Sequence, residues 1–248
     1  MLVICNGMYR SGSTIQYNLA REIAEYSGGR GLGFLSSSDL ESRREELLEK
    51  VESKKCFVIK MHEPFLETSF DAEGGQIKIL YTYRDLRAVV ASIKEKLNCE
   101  AKVAMDMLNE ALRFESDLMN NNTVFSQRYE TYYRRELAML EGISGFIGVS
   151  IPPNDAKVIA NRHSLESTKA SIGEFTSLSV FFARLKKKWP MSLMFEQTDN
   201  TTLLHYNHIS RFSGNIDSWK ETLSAEEVFQ IELKHKNWLL SRGYVLVS

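Results

Sequence analysis

The first 26 residues constrain this chain most. Leu2-Val3-Ile4-Cys5 is a short apolar, β-prone run of the kind that forms a buried strand. A loop of small residues follows, Asn6 to Thr14, with glycines at positions 7 and 12. Ile15, Leu19, Ile23 and Tyr26 then recur at helical spacing, which predicts a helix from Ser13 or Thr14. Strand, glycine loop and helix in that order bring backbone N–H groups and the positive end of a helix dipole to one point, where an anion can sit. Gly7 and Gly12 have the GxxxxG spacing of a nucleoside triphosphate loop, and Ser13-Thr14 stand where Lys-Ser/Thr would follow. The lysine is missing. In a kinase a lysine serves the β- and γ-phosphates, and here the loop's cation is Arg10, three residues earlier. The loop therefore reads as a phosphate cradle reshaped for a nucleotide without a γ-phosphate. The plainer alternative is a Gly/Ser turn.

A chain of 248 residues with 43% hydrophobic and 25% charged residues suits one sizeable α/β domain, here taken as 1–248. Its 31 basic and 32 acidic residues give no bulk attraction to nucleic acid or membrane, so any anion site must be local. Cys5, Cys56 and Cys99 lack metal-ligand spacing and read as reduced thiols. The loop begins within six residues of Met1, and the expectation is a soluble, cytoplasmic protein without leader or anchor.

Beyond the first helix the pattern alternates. Gly28 to Gly31 reads as a turn, Gly33 to Ser36 as a short strand, and Asp39 to Ser53 as one amphipathic helix capped by Asp39. Strands are predicted over Cys56–Lys60, Ile77–Tyr83 and Thr123–Arg128. Helices are predicted over Leu86–Leu97, Lys102–Met119, Tyr132–Ile147, Ala156–Ala170 and Ala225–Leu239. This alternation is the signature of an α/β fold with a mostly parallel central sheet flanked by helices. Phe175 to Tyr206 mixes helical and extended signals, and its basic run Arg184 to Trp189 reads as a solvated helix end.

Two further constellations carry chemistry. Lys60-Met61-His62-Glu63-Pro64 closes a strand at its carboxyl end, where open α/β sheets bind ligands. Alternation along the strand puts Lys60 and His62 on one side, with Glu63 opposite. A cation and an imidazole together suit a transfer reaction, one meeting charge on a leaving group while the other takes a proton. A surface strand end is the bland alternative. After the Ile77–Tyr83 strand, Arg84 and Ser92 stand eight residues apart with Asp85 as a helix cap, and a guanidinium with a hydroxyl can hold a second phosphate.

These stretches together resemble the sulfotransferases that use 3′-phosphoadenosine-5′-phosphosulfate (PAPS). Tyr9-Arg10-Ser11-Gly12-Ser13-Thr14 resembles their 5′-phosphosulfate loop, with Arg10 at the lysine position. Lys60-Met61-His62 resembles the Lys-Thr-His strand end bearing the catalytic base, and Arg84 with Ser92 keeps the spacing of the 3′-phosphate pair. Arg128-Tyr129-Glu130 resembles the Arg-Tyr-Glu-Asp strand end, whose tyrosine lies near the adenine. His208 to Lys220 resembles a 3′-phosphate loop, with Ser210, Arg211, Ser213 and Gly214 as contacts, although Arg211 lies eight residues before Trp219 rather than seven.

The resemblance implies a transferase that moves a sulfuryl group from PAPS to a hydroxyl or amine of a small molecule, of secondary metabolism, releasing 3′,5′-bisphosphoadenosine (PAP). Arg10 and Lys60 would stabilise charge on the bridging oxygen and the 5′-phosphate, and His62 would act as base without a required metal. The expected acceptor pocket draws on Gly28–Leu35, Phe65–Gly75 and Phe175–Tyr206. Two alternatives stay open: a P-loop kinase with an altered loop, and a non-catalytic nucleotide-binding relative. Neither the acceptor nor the oligomeric state is written in the sequence.

Overall fold

Strand β1 (Leu2–Gly7) is the axis of the molecule, buried along its whole length. The computed structural model describes residues 1–63, 77–121, 124–171, 202–203 and 214–248. Their side chains alternate along β1 as a strand requires. Leu2 and Ile4 enter the core on one face of the sheet, Val3 and Cys5 the core on the other. Burial on both faces is why this strand reads as an unbroken apolar run.

The strands β2 (Arg30–Phe34), β3 (Phe57–Lys60), β4 (Ile77–Tyr83) and β5 (Val124–Arg128) complete a five-stranded sheet in the order β2-β3-β1-β4-β5. Every pairing is parallel, in registers such as Ile4↔Ile59, Ile4↔Ile79 and Tyr81↔Ser126. Parallel strands share one carboxyl edge, and Gly7, Lys60, Tyr83 and Arg128 all end there.

Helices cover both faces. On one side α1 (Ser13–Tyr26), α7 (Glu136–Ile147) and α8 (Pro153–Arg162) pack through Leu19, Ile23, Leu140, Ile143 and Ile159. On the other, α3 (Arg44–Glu52), α4 (Leu86–Leu97), α5 (Ala101–Asn121) and α11 (Ala225–Ser241) contribute Leu47, Val89, Leu108 and Ile231. The short helices α2 (Ser37–Ser42), α6 (Tyr129–Tyr132), α9 (165–171) and α10 (Trp219–Thr222) turn the chain between these layers. Among the described residues no helix is long and apolar enough to cross a membrane.

The expected elements are present with four corrections. The helix expected over Tyr132–Ile147 starts at Glu136, and Tyr132 closes α6 instead, with its carbonyl accepting from the Arg135 N–H. The helix expected over 39–53 is two, α2 and α3, meeting at Arg43. Its cap is Ser36, whose hydroxyl accepts from the Asp39 N–H while the Asp39 carboxylate accepts from the Ser36 N–H, a reciprocal capping box. The second strand begins at Arg30, not Gly33, because the Arg30 N–H already donates to Cys56 O of the neighbouring chain segment. The helix expected over 156–170 starts at Pro153, a residue suited to a first turn, and breaks at His163-Ser164, where the Ser164 hydroxyl caps α9 by accepting from the Ser167 N–H. Cys5 and Cys56 are buried and all three thiols are free.

A charged cluster fastens the carboxyl-terminal segment to the site. The Arg87 guanidinium donates to both carboxylate oxygens of Asp85 and, at 2.5 Å, to Glu232. Glu232 also accepts from the backbone N–H groups of Val247 and Ser248. Trp219 lies against the same guanidinium, 4.3 Å from its ring centroid. The start of α4, the segment after Gly214 and the last residues of the chain are thereby one unit.

Candidate active site

The glycine loop leaves β1 and is pinned from behind. Ser11 is fully buried, its hydroxyl 2.7 Å from Met8 O and 3.0 Å from Thr82 O, so it anchors the loop to β4. Gly12 sits at the N-cap of α1 in the left-handed region with φ 87°, and no side chain caps that helix. A Cβ at position 12 would lie 2.8 Å from the ring of Tyr129. Glycine is therefore required twice over, by conformation and by space. The uncapped helix end offers its dipole to an anion in the cavity.

Lys60 supplies the ammonium that the loop lacks. Its Nζ reaches across from β3 and donates to Thr14 Oγ1 at 2.6 Å. The side chain is buried, and desolvation, aided by Lys96 and Arg10, lowers its pKa to about 8.

His62 stands two residues on, on the same side as Lys60. Its Nδ1 lies 3.0 Å from Gly7 O. A carbonyl only accepts, so Nδ1 carries the hydrogen and Nε2 keeps its lone pair. Desolvation first, and then the neighbouring Lys60 ammonium, lower the imidazole pKa to about 4, so the ring is neutral at pH 7. The rings of Tyr9 and Phe34 flank it, with centroids 5.1 and 6.0 Å away. Glu63 is turned elsewhere, its carboxylate accepting from the Ser37 N–H at 2.7 Å.

At the other end Arg84 and Ser92 face the loop. Arg84 donates to Arg10 O at 3.2 Å and to Asn215 O at 2.9 Å, and its guanidinium lies 4.5 Å from the Tyr129 ring centroid. Among the described residues its Nε has no partner, although it is buried. The Tyr129 hydroxyl donates to Gly214 O at 3.0 Å, and Gly214 is left-handed with φ 73°. Arg10 adopts φ 63°, and its Nε donates to Ser92 Oγ at 2.9 Å. Its Nε is thus tied to Ser92, while its charge still bears on Lys60.

All of these side chains line one cavity of about 260 Å³: Tyr9 to Thr14, Lys60, His62, Arg84, Ser92, Tyr129 and Gly214. Ser210, Arg211 and Ser213 lie outside the described residues, as do the expected acceptor segments 65–75 and most of 175–206. The cavity also has walls that the sequence reading did not single out. Lys96 follows Ser92 by one helical turn, and Asn18 follows Thr14 by the same spacing, a signal that was present once the helices were placed. Gln127, two residues before Tyr129 on β5, joins them. Asn18 Oδ1 and Gln127 Nε2 are buried polar atoms without partners among the described residues.

A mouse sulfotransferase, SULT7A1, complexed with PAP superposes with a TM-score of 0.59 at 14% identity, covering 98% of this chain and 86% of that one. A retinol dehydratase in complex with retinol and PAP gives 0.58 at 15% identity, covering 100% and 83%. The same enzyme with androsterone and inactive cofactor PAP gives 0.57 at 15%, covering 100% and 82%. The chain has the sulfotransferase fold. No protein-family model matches it, and no curated protein is similar to it in sequence. On this sulfotransferase fold the glycine loop, the Lys60/His62 strand end, the Arg84/Ser92 pair and Tyr129 converge on a single cavity at the carboxyl edge of the sheet.

Proposed function

We propose that the protein is a sulfotransferase that takes a sulfuryl group from PAPS and releases PAP. One observation carries this reading. Lys60 and Arg84 are buried cations that line the cavity, and neither has a carboxylate partner among the described residues. A buried charge without a counter-charge is costly, so the site is built for an anion that arrives with the ligand. The two cations stand at separate ends, as a nucleotide with phosphates on both its 5′ and 3′ sides requires.

The geometry supports one course for the reaction. A hydroxyl or amine of the acceptor attacks sulfur, forming the new bond to sulfur as the bond to the 5′-phosphate oxygen breaks. The electron pair stays on that oxygen, where Lys60 offsets the charge. The acceptor proton passes to Nε2 of His62, whose Nδ1–H is already committed to Gly7 O. Bound phosphates raise the imidazole pKa from its low value toward neutrality and so strengthen the base.

Neighbours on this fold are solved with retinol and androsterone, which supports a small-molecule acceptor. We place that acceptor in secondary metabolism and the reaction in the cytoplasm. The test is calorimetry with PAP and with ATP, each with and without Mg²⁺, followed by transfer of radiolabelled sulfate from PAPS to a metabolite panel. PAP binds without Mg²⁺ and stabilises the fold by about 2.7 kcal/mol at a hundredfold excess over its Kd. Equal stabilisation by ATP would favour a kinase and contradict this reading.

A further inference from the structure

Arg84 is held by neutral groups, with the carbonyls of Arg10, Gly214 and Asn215 accepting from its guanidinium and the Tyr129 ring lying against it. Its two chain neighbours are both tied to the carboxyl-terminal segment. Before it, the Tyr83 ring meets Trp238 edge-on, with centroids 6.0 Å apart, and the Arg242 guanidinium lies 4.6 Å from the Tyr83 centroid. After it, the Asp85 N–H donates to Glu130 Oε1 at 2.8 Å. That N–H belongs to the planar peptide bond that starts at the Arg84 carbonyl, so the contact fixes the backbone beside the arginine. The other Glu130 oxygen accepts from the Tyr244 hydroxyl at 2.9 Å and from Arg128 Nε at 3.4 Å. Tyr244 is buried, and the Arg128 guanidinium lies 4.0 Å from its ring centroid. Glu130 is thus a junction where the ends of β4 and β5 meet the last residues of the chain.

We propose that Glu130 and Tyr244 are positioning residues, through which the carboxyl-terminal segment sets Arg84 for the 3′-phosphate of the ligand. Tyr129 and Glu130 are consecutive at the start of α6. One turn of chain therefore holds the Arg84 guanidinium by a ring and the Arg84 peptide by a carboxylate. A guanidinium meets a phosphate well only in a narrow range of position and angle, so the groups that fix its backbone govern the contact. The Tyr244 hydroxyl in turn fixes the Glu130 carboxylate, which touches no ligand itself. The 5′ side is built separately, since Lys60 reaches Thr14 from β3 and takes no part in this junction. Loosening the junction therefore weakens recognition of the 3′-phosphate and leaves that of the 5′-phosphate in place.

This inference rests on the proposed function, and the experiment separates the two. Calorimetry on the full chain gives the Kd for PAP and for adenosine 5′-monophosphate (AMP), which lacks only the 3′-phosphate. The wild type prefers PAP. In Glu130→Ala that preference falls roughly tenfold through PAP, the scale of one charge-assisted hydrogen bond, while AMP stays within about twofold. Glu130→Gln keeps an acceptor for the Asp85 N–H and restores most of the preference. Tyr244→Phe removes only a hydroxyl and lowers the preference about threefold, so it decides the matter if Glu130→Ala does not fold. A preference unmoved in either folded variant overturns the inference. So does equal weakening of PAP and AMP, which is what a merely structural role gives. Both results leave the function standing. A wild type that binds PAP no better than AMP, or not at all, takes the function down with the inference.

Discussion

Arg10 Nε donates to Ser92 Oγ at 2.9 Å, joining the glycine loop to helix α4 across 82 positions of sequence. The contact exists because Arg10 holds a left-handed backbone, φ 63°, which non-glycine residues adopt only when their surroundings fix it. Arg84 supplies one such constraint by donating to the Arg10 carbonyl. A ligand phosphate at this end would meet a preset guanidinium and hydroxyl together.

Removing Arg10 therefore weakens PAP more than removing Ser92. Arg10→Ala raises the Kd roughly ten- to hundredfold and Ser92→Ala about three- to tenfold, as charged and neutral hydrogen bonds respectively predict. Arg10→Lys recovers only part of the loss, because an ammonium lacks the Nε–H that the serine fixes. Calorimetric titration of PAP into the three variants checks the order.

The two perturbed groups give a pH profile of known sign. In the free enzyme kcat/KM for PAPS falls as pH drops through about 4, where His62 takes up a proton and ceases to be a base. It also falls as pH rises through about 8, where Lys60 loses the charge that holds the leaving phosphate. Lys60→Met abolishes the alkaline limb and lowers the plateau. A wild-type profile flat from pH 6 to 10 contradicts the role given to Lys60.

Tyr129 is wedged between two glycines. A Cβ on Gly12 would meet its ring at 2.8 Å, and one on Gly214 would meet its hydroxyl at 2.4 Å. Both glycines are left-handed. Gly12→Ala and Gly214→Ala each cost about 1–3 kcal/mol from strain and overpacking, or several degrees of Tm at about 2–4 °C per kcal/mol. Scanning calorimetry with and without PAP measures both the loss and whether the ligand still stabilises.

The sequence showed the elements whose reasons are local. Ile77–Tyr83 and Leu86–Leu97 fall where their apolar periodicity and the Asp85 cap put them. The side of Lys60 and His62 followed from strand alternation alone. What escaped depends on residues far apart or on backbone conformation. The break at Arg43 is hidden by continuous helical periodicity, and only the Ser36/Asp39 capping box betrays the earlier start. The direction of Arg10 depends on its positive φ, which no residue type at that position announces. Lys96, Asn18 and Gln127 become site residues only when three elements meet at one cavity.

The Arg87 cluster is a stability element with its own pH signature. Arg87 and Glu232 are both almost fully buried, so Arg87→Leu strands two carboxylates and costs about 3–5 kcal/mol. Burial alone would raise the Glu232 pKa, but hydrogen bonds from Ser248, Val247 and Arg87 outweigh it and hold the carboxyl below its ordinary value. A depressed carboxyl contributes stability above its unfolded pKa, and that contribution is lost as pH falls through the folded value. Urea titrations from pH 7 downward should therefore show a shallower acid loss in Glu232→Gln than in the wild type.

The central claim is that His62 takes the acceptor's proton in a transfer from PAPS. Its direct measurement is turnover of radiolabelled PAPS by wild type, His62→Asn and Glu63→Gln on one accepted substrate, with PAP affinity recorded for each. His62→Asn should lose about 10²–10⁴-fold in kcat, the usual span for removal of a general base, with PAP affinity nearly unchanged. Glu63→Gln should be mild, since that carboxylate serves the Ser37 N–H. An inactive Glu63→Gln beside an active His62→Asn would contradict the account.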